Sequence, residues 1–237
     1  MNCTVELVTE LKNNTNIEKA KHSKQFFKSF PGGYGEGDMF LGITVPIQRK
    51  IAKKYYKFCT LKDIEVLLNN EFHEIRLTAL FILTYKLEKS DNNEEIKKIV
   101  DLYINKISKV NNWDLVDSSA PKILGPYFLN KDKSLLYNYA NSNNLWKQRI
   151  SIITTQYFIK NNQFQDTLNI SKILLNHSHD LIHKAVGWML REIGNRNFEV
   201  EFNFLKDHYK NMPRTMLRYA IEKFDKELRV KFLKGKI

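Results

Sequence analysis

One carboxylate interrupts a column of cations in this chain. Six segments align by internal periodicity: 48–52, 75–79, 116–120, 148–152, 183–187 and 217–221. Their second residues are Arg49, Arg76, Asp117, Arg149, Lys184 and Arg218, separated by 27, 41, 32, 35 and 34 residues. Periods of that size with helical patterning mark stacked helix pairs, which display one position of every repeat along one face. Five cations on such a face suit a polyanion. The aspartate among them sits in a positive field that keeps it ionised, and an ionised carboxylate can stabilise a cationic transition state and orient a water. Phosphoryl transfer fits poorly, because one acid without companions holds no metal pair. The plainer role for Asp117, flanked by Asp114 and Ser118-Ser119, is a helix cap or a salt bridge to Arg149.

All three tryptophans flank that column. Trp113 lies four residues before Asp117, Trp146 three before Arg149, and Trp188 four after Lys184 and three before Arg191. Helical separations of three or four share a face, so Trp113 accompanies Asp117, while Trp188 accompanies Lys184 and Arg191. An indole anchored in the core is the alternative, and Trp146 keeps that reading. Trp113 and Trp188, on faces shared with charge, read as a binding surface.

Other constellations carry less. His177, His179 and His183 include an i,i+4 pair, but no third ligand of convincing spacing joins them, so no metal is expected. The stretch Gly32-Gly33-Tyr34-Gly35-Glu36-Gly37 resembles a phosphate loop, yet it follows a helix and lacks the Lys-Ser/Thr ending. The clusters Arg49-Lys50-Lys53-Lys54 and Lys231-Lys234-Lys236 are solvated faces, or contacts to phosphate that would govern affinity and salt dependence.

The elements that must position these residues are helical throughout, with no convincing strand alternation. The pattern predicts two helices within 5–30, a glycine-rich loop at 31–39, and a helix opened by Pro46 and running to about residue 58. Further helices are expected at 60–70, 73–89, 93–108, 113–128, 132–141, 145–161, 164–175, 180–195, 198–210, 214–224 and 226–234. Asn and Asp clusters separate them, because their short side chains bond nearby backbone amides. Short linkers and even composition predict a single domain over 1–237, a HEAT-type stack with irregular spacing.

Bulk composition points the same way. Thirty-eight Lys plus Arg against 26 Asp plus Glu leave a formal charge of +12, which favours nucleic acid or an acidic membrane surface as partner. No apolar run approaches membrane-spanning length, and the N-terminus reads as neither signal peptide nor anchor. Cys3 and Cys59 suggest no disulfide framework or metal spacing, which suits a reducing cytoplasm.

Four stretches together resemble the AlkD-like family of DNA alkylation-repair glycosylases. They are Tyr34-Gly-Glu-Gly-Asp38 with Phe40-Leu-Gly-Ile-Thr-Val-Pro46, then Trp113-Asp-Leu-Val-Asp117-Ser118, Leu145-Trp-Lys-Gln-Arg149, and Lys184-Ala-Val-Gly-Trp188-Met-Leu-Arg-Glu192. The resemblance covers essentially the whole chain. It implies an all-α fold, a right-handed superhelical solenoid of HEAT-like helix-pair repeats. It also implies excision of cationic N3- and N7-alkylated purines from double-stranded DNA by hydrolysis of the N-glycosidic bond, without full extrusion of the base. By carry-over, Asp117 is the catalytic carboxylate, Trp113 and Trp188 the aromatic pair against the lesion nucleotide, and Arg149 a phosphate-binding arginine. Lys184, Arg191, Arg49, Arg76 and Arg218 complete the expected DNA-binding set. Phe26 stands where some relatives carry a tyrosine, and the glycine-rich loop is longer than in some members. Such an enzyme needs no metal or organic cofactor and is expected as a cytoplasmic, nucleoid-associated monomer with no membrane contact. Some relatives lack the aspartate and bind DNA without excising bases, so the rival expectation is a catalytically silent HEAT module for distorted or branched DNA.

Overall fold

A computed structural model describes residues 3–237 of the chain. Among them run fourteen α-helices, and the only strand-like feature is an isolated bridge between Met39 and Phe72. The fold is all-α, as expected. The chain divides into two compact units between Ser119 and Ala120. That division falls inside a helix, beside Pro121, which has no amide proton to give the helical ladder.

The first unit holds α1 (Cys3–Lys12), α2 (Ile17–Phe26), α3 (Val45–Tyr55), α4 (Leu61–Leu68), α5 (His73–Lys89), α6 (Asn93–Asn105) and the start of α7 (Trp113–Phe128). Helices α3, α4 and α6 pack on α5. This explains why α5 lacks an amphipathic stripe: Ile75, Leu77, Ala79, Leu80, Phe81, Ile82 and Leu83 are buried on successive faces. A helix apolar all round is a core helix. Residues 31–39 form turns, as their glycines predict, and the following segment is strapped to α5 by Glu74. Its carboxylate accepts from the amides of Leu41, Gly42 and Ile43 at 3.0, 2.7 and 3.3 Å. Gly42 has φ +76°, and a Cβ there would stand 2.1 Å from the Asn16 carbonyl oxygen, so only glycine fits.

Cysteine pairing corrects the sequence reading. Cys3 on α1 and Cys59 just before α4 form a disulfide, with Cα atoms 5.4 Å apart. A separation of 56 residues carries no pairing signal; the docking of α1 against α3 and α4 creates the proximity.

The second unit contains the remainder of α7, then α8 (Ser134–Ala140), α9 (Leu145–Lys160), α10 (Gln165–Ile173), α11 (Asp180–Gly194), α12 (Phe198–His208), α13 (Arg214–Ala220) and α14 (Lys226–Leu233). Helices α9 and α11 pack together; α8 and α10 cover α9, while α12 and α13 cover α11. At Gly187 the backbone of α13 lies directly on α11, since a Cβ would meet the Met216 carbonyl oxygen at 2.4 Å. Asn16, Asn92 and Asn144 cap α2, α6 and α9 by accepting from first-turn amides, as the asparagine clusters predict. The helices expected at 93–108 and 214–224 end earlier, each finishing in a 3-10 turn, Ile107–Lys109 and Ile221–Lys223. Among the described residues, no helix is long and apolar enough to cross a membrane.

Candidate active site

The first turn of α7 is fixed by its neighbours before any chemistry is considered. Asn112, fully buried, accepts from the Trp113 amide at 2.9 Å. Asp114 turns one carboxylate oxygen to the Leu115 amide at 2.8 Å and the other to His73 Nε2 at 2.8 Å. His73 Nδ1 is 3.0 Å from Asp38, the last residue of the Tyr34–Asp38 stretch. Asp38 in turn accepts from Arg76 Nη2 at 2.6 Å and from Asn111 Nδ2 at 3.2 Å. One imidazole thus sits between two carboxylates, only 2% exposed.

Burial alone would push the His73 pKa down, but the charges and hydrogen bonds of Asp114 and Asp38 raise it to about 9. Asp38 is likewise pushed up by burial. The His73 hydrogen bond and the Arg76 charge outweigh that and hold its pKa below the ordinary carboxylate value. His73 is therefore an imidazolium at neutral pH, with both ring nitrogens donating.

Trp113 is built onto this cluster through an aromatic stack. Its ring lies 5.3 Å from Phe27, roughly parallel, and Phe26 meets it edge-on at 5.6 Å. Phe27 stacks in turn on His73 at 4.9 Å and on Phe40 at 5.3 Å. Trp113 is half-buried and Phe26 exposed, so the stack ends at solvent in an apolar edge. Asp117, one turn beyond Trp113 on α7, is half-buried. The expected face shared by Trp113 and Asp117 is thus supplied by a single helix.

In the second unit, Trp188, Lys184 and Arg191 lie on α11 as their spacing predicts. Trp188 Nε1 donates to Glu192 Oε1 at 3.0 Å. Arg191 pairs with Glu222 and approaches Glu192 at 3.8 Å. Lys184 pairs with Asp180 at 2.7 Å. Arg149 on α9 is only 5% exposed and donates to the Leu181 carbonyl at 2.5 Å. Trp146 is half-buried at the start of α9.

Arg49 and Arg76, aligned by the sequence spacing, part company. The Arg49 guanidinium lies over the Phe81 ring at 4.0 Å and keeps partial exposure. Arg76 is the correction: it is 4% exposed, and its guanidinium faces inward to Asp38, Asn111 and the carbonyls of Asn70 and Glu71. A buried anion 38 residues earlier in sequence has drawn it out of the column. Arg218 is exposed on α13. The histidine cluster serves its turn: His177 meets Gln148 and the His179 amide, His179 caps α11, and His183 bonds the His177 carbonyl. Among the described residues, no group of three or more His, Cys, Asp or Glu is placed to hold a metal ion.

Sequence reasoning missed His73 and did not join Asp38 to Asp114. Both aspartates were visible in their stretches, but His73 lies 35 and 41 residues from them, and only the docking of three segments brings the groups together.

Comparison with known proteins bears on the family and the fold. A family model described as DNA alkylation repair enzyme matches residues 7–224, nearly the whole chain. Among solved structures, one described as a predicted DNA alkylation repair enzyme from Enterococcus faecalis superposes with a TM-score of 0.71, covering 90% of this chain and 98% of its own. At 17% identity, that likeness speaks for the fold. No curated protein matches the chain.

Proposed function

The chain belongs to the DNA alkylation repair enzyme family, and on that premise we propose that it is a DNA glycosylase acting on cationic N3- and N7-alkylated purines in duplex DNA. The observation that carries the reading is the pairing on α7 of the half-buried Trp113, held on a stacked aromatic base, with Asp117 one turn further. In this reaction the bond between sugar C1′ and the purine nitrogen breaks, and its electron pair leaves with the base, cancelling the positive charge of the alkylated ring. Such a leaving group needs little general acid. The sugar is left with oxocarbenium character, which the Asp117 carboxylate stabilises. Water then adds at C1′ and gives up a proton, to Asp117 or to solvent. Electron-rich indole faces attract adjacent positive charge, a role assigned to Trp113 and Trp188.

Phosphate contact falls to Arg49, Lys184, Arg191 and Arg218, which keep exposed surface. Arg149, 5% exposed and donating to the Leu181 carbonyl, is assigned a phosphate contact as well. Arg76 is not among them, because Asp38 already pairs with its guanidinium. HEAT-like repeats acting as one DNA-binding domain, in a cytoplasmic monomer that works without metal or organic cofactor, complete the proposal.

The test is release of N7-methylguanine from duplex DNA by the purified protein, with Asp117→Asn alongside. Release by the parent and its loss in the variant, with DNA binding kept, is the expected result. Tight, salt-sensitive binding without release from this lesion or from methylated genomic DNA would make the protein a silent DNA-binding module instead.

A further inference from the structure

We propose that His73, donating to both Asp38 and Asp114, is the positioning residue that fixes Trp113 and the first turn of α7; its catalytic meaning rests on the glycosylase reading. Three segments meet at this one ring: the end of the glycine-rich loop at Asp38, the start of α5 at His73 itself, and the start of α7 at Asp114. Asp114 is the chain neighbour of Trp113, so the 2.8 Å bond to His73 sets the backbone of the first turn. Phe27, stacked between His73 and Trp113, sets the indole plane. Both the backbone and the ring of Trp113 are therefore referenced to the same imidazole.

Chemistry explains why a histidine is needed. A neutral imidazole has one N–H and can satisfy one carboxylate; two carboxylates at hydrogen-bond distance on opposite nitrogens require the doubly protonated ring. A buried cluster of four ionic groups is a poor way to gain stability, since apolar side chains of similar volume do as well or better. What it supplies is a single geometry. Other groups around the ring leave that logic intact. Arg76, three residues along α5, holds Asp38 at 2.6 Å, and neutral Asn111 bridges Arg76 and Asp38. Glu74 faces the Leu41–Ile43 amides, and Phe27 and Phe40 present uncharged ring faces.

The proton makes the device readable. Burial opposes it, but the two carboxylates raise the His73 pKa to about 9. Below that pH both bonds are made. As pH rises through it, one carboxylate loses its donor and the ring loses its charge, a change that the Trp113 indole registers through the Phe27 stack.

The experiment uses full-length protein labelled with 5-fluorotryptophan, the Trp113 signal being assigned by its disappearance in Trp113→Phe. Fluorine spectra are followed without DNA from about pH 7 to about pH 10. The parent should show a Trp113 transition centred near 9. Asp114→Asn should abolish it within that range, because the introduced amide donates to a neutral imidazole and one proton then suffices. His73→Gln, checked as folded by circular dichroism, should displace the Trp113 signal at neutral pH. It should also lower single-turnover excision by about tenfold or more with little change in DNA affinity, the mark of lost positioning. A parent without the transition, an Asp114→Asn protein that keeps it, or a His73→Gln protein excising at the parental rate would each overturn the inference. A parent that shows the transition but releases no base would sink the glycosylase reading and leave the positioning role standing.

Discussion

Trp188 and Glu192 are joined along α11 by an indole N–H donating to a carboxylate oxygen at 3.0 Å. The bond does two things at once. It fixes the rotation of the indole about its side-chain bonds, and it places negative charge at the ring edge, which enriches the face that would meet a cation. Arg191, itself paired with Glu222, approaches the Glu192 carboxylate at 3.8 Å.

Replacing Glu192 separates the two effects. Glu192→Gln keeps an acceptor and removes charge, so excision of N7-methylguanine should fall by a factor of about three. Glu192→Leu removes the acceptor as well and should cost about tenfold, equivalent to one lost charged hydrogen bond. Single-turnover rates on one duplex substrate measure both, and equal rates for the two variants would remove orientation from the argument.

Glu201 gives a pH dependence of stability. It is almost fully buried on α12, with one carboxylate oxygen lacking any hydrogen-bond partner. Burial raises its pKa to about 9, with the Arg191 charge opposing only in part. Between the ordinary value of 4.5 and about 9, the unfolded chain releases a proton that the folded chain retains. Stability therefore falls as pH rises through that window, and the penalty is complete above it. Glu201→Met should stabilise the protein by about 1–3 kcal/mol at alkaline pH, with the gain shrinking toward acid pH. Thermal unfolding of parent and variant across that range decides it; a gain independent of pH would refute the assignment.

The Cys3–Cys59 bond closes a loop of 56 residues. Loop closure of that length restricts the unfolded chain by about 4 kcal/mol in the entropic account. Denaturant unfolding with and without reductant should show a difference of that order. The double change Cys3→Ser with Cys59→Ser should make the protein insensitive to reductant. In a reducing compartment the two buried thiols would pack as small apolar side chains, and the lower stability would be the working one.

Gly35 and Gly37 should respond differently to the same methyl group. A Cβ on Gly35 would lie 2.4 Å from the Phe27 carbonyl oxygen and 2.9 Å from Asn112 Nδ2, pushing apart the supports of Trp113. Gly37 has open space but φ +85°. Gly35→Ala should cost about 1–3 kcal/mol through crowding and slow excision as well. Gly37→Ala should cost about 1 kcal/mol through backbone strain alone, with activity kept. Urea unfolding and base-release rates on the two variants separate the causes.

Much of this molecule was legible because its signals are local. Asn144 before Leu145 fixes the start of α9, and the four-residue step from Trp113 to Asp117 places both on one helix face whatever else the chain does. What failed to show was non-local. Arg49 and Arg76 align by sequence spacing, yet one rests on an aromatic face and the other turns inward, because an anion reaches Arg76 from a different segment. His73 reads as an ordinary polar residue at a helix start until the loop and α7 bring carboxylates to both sides of it. The cysteines belong to the same class, joined by the docking of helices that no spacing rule encodes.

Glu74 has a further meaning when its three amide partners are viewed as a receptor. Successive N–H groups converging on one point form a concavity for an anion, the kind of nest that elsewhere receives a phosphate or a small carboxylate from solution. Here the tenant is covalently part of the chain, delivered from α5 to the amides of Leu41, Gly42 and Ile43. The segment beside the glycine-rich loop is thus self-liganded: its receptor is filled at synthesis, closed to competition from nucleotide phosphates, and independent of any metabolite concentration. Shortening that one side chain would leave three buried amides without their acceptor and turn a constitutive strap into a standing cost to the fold.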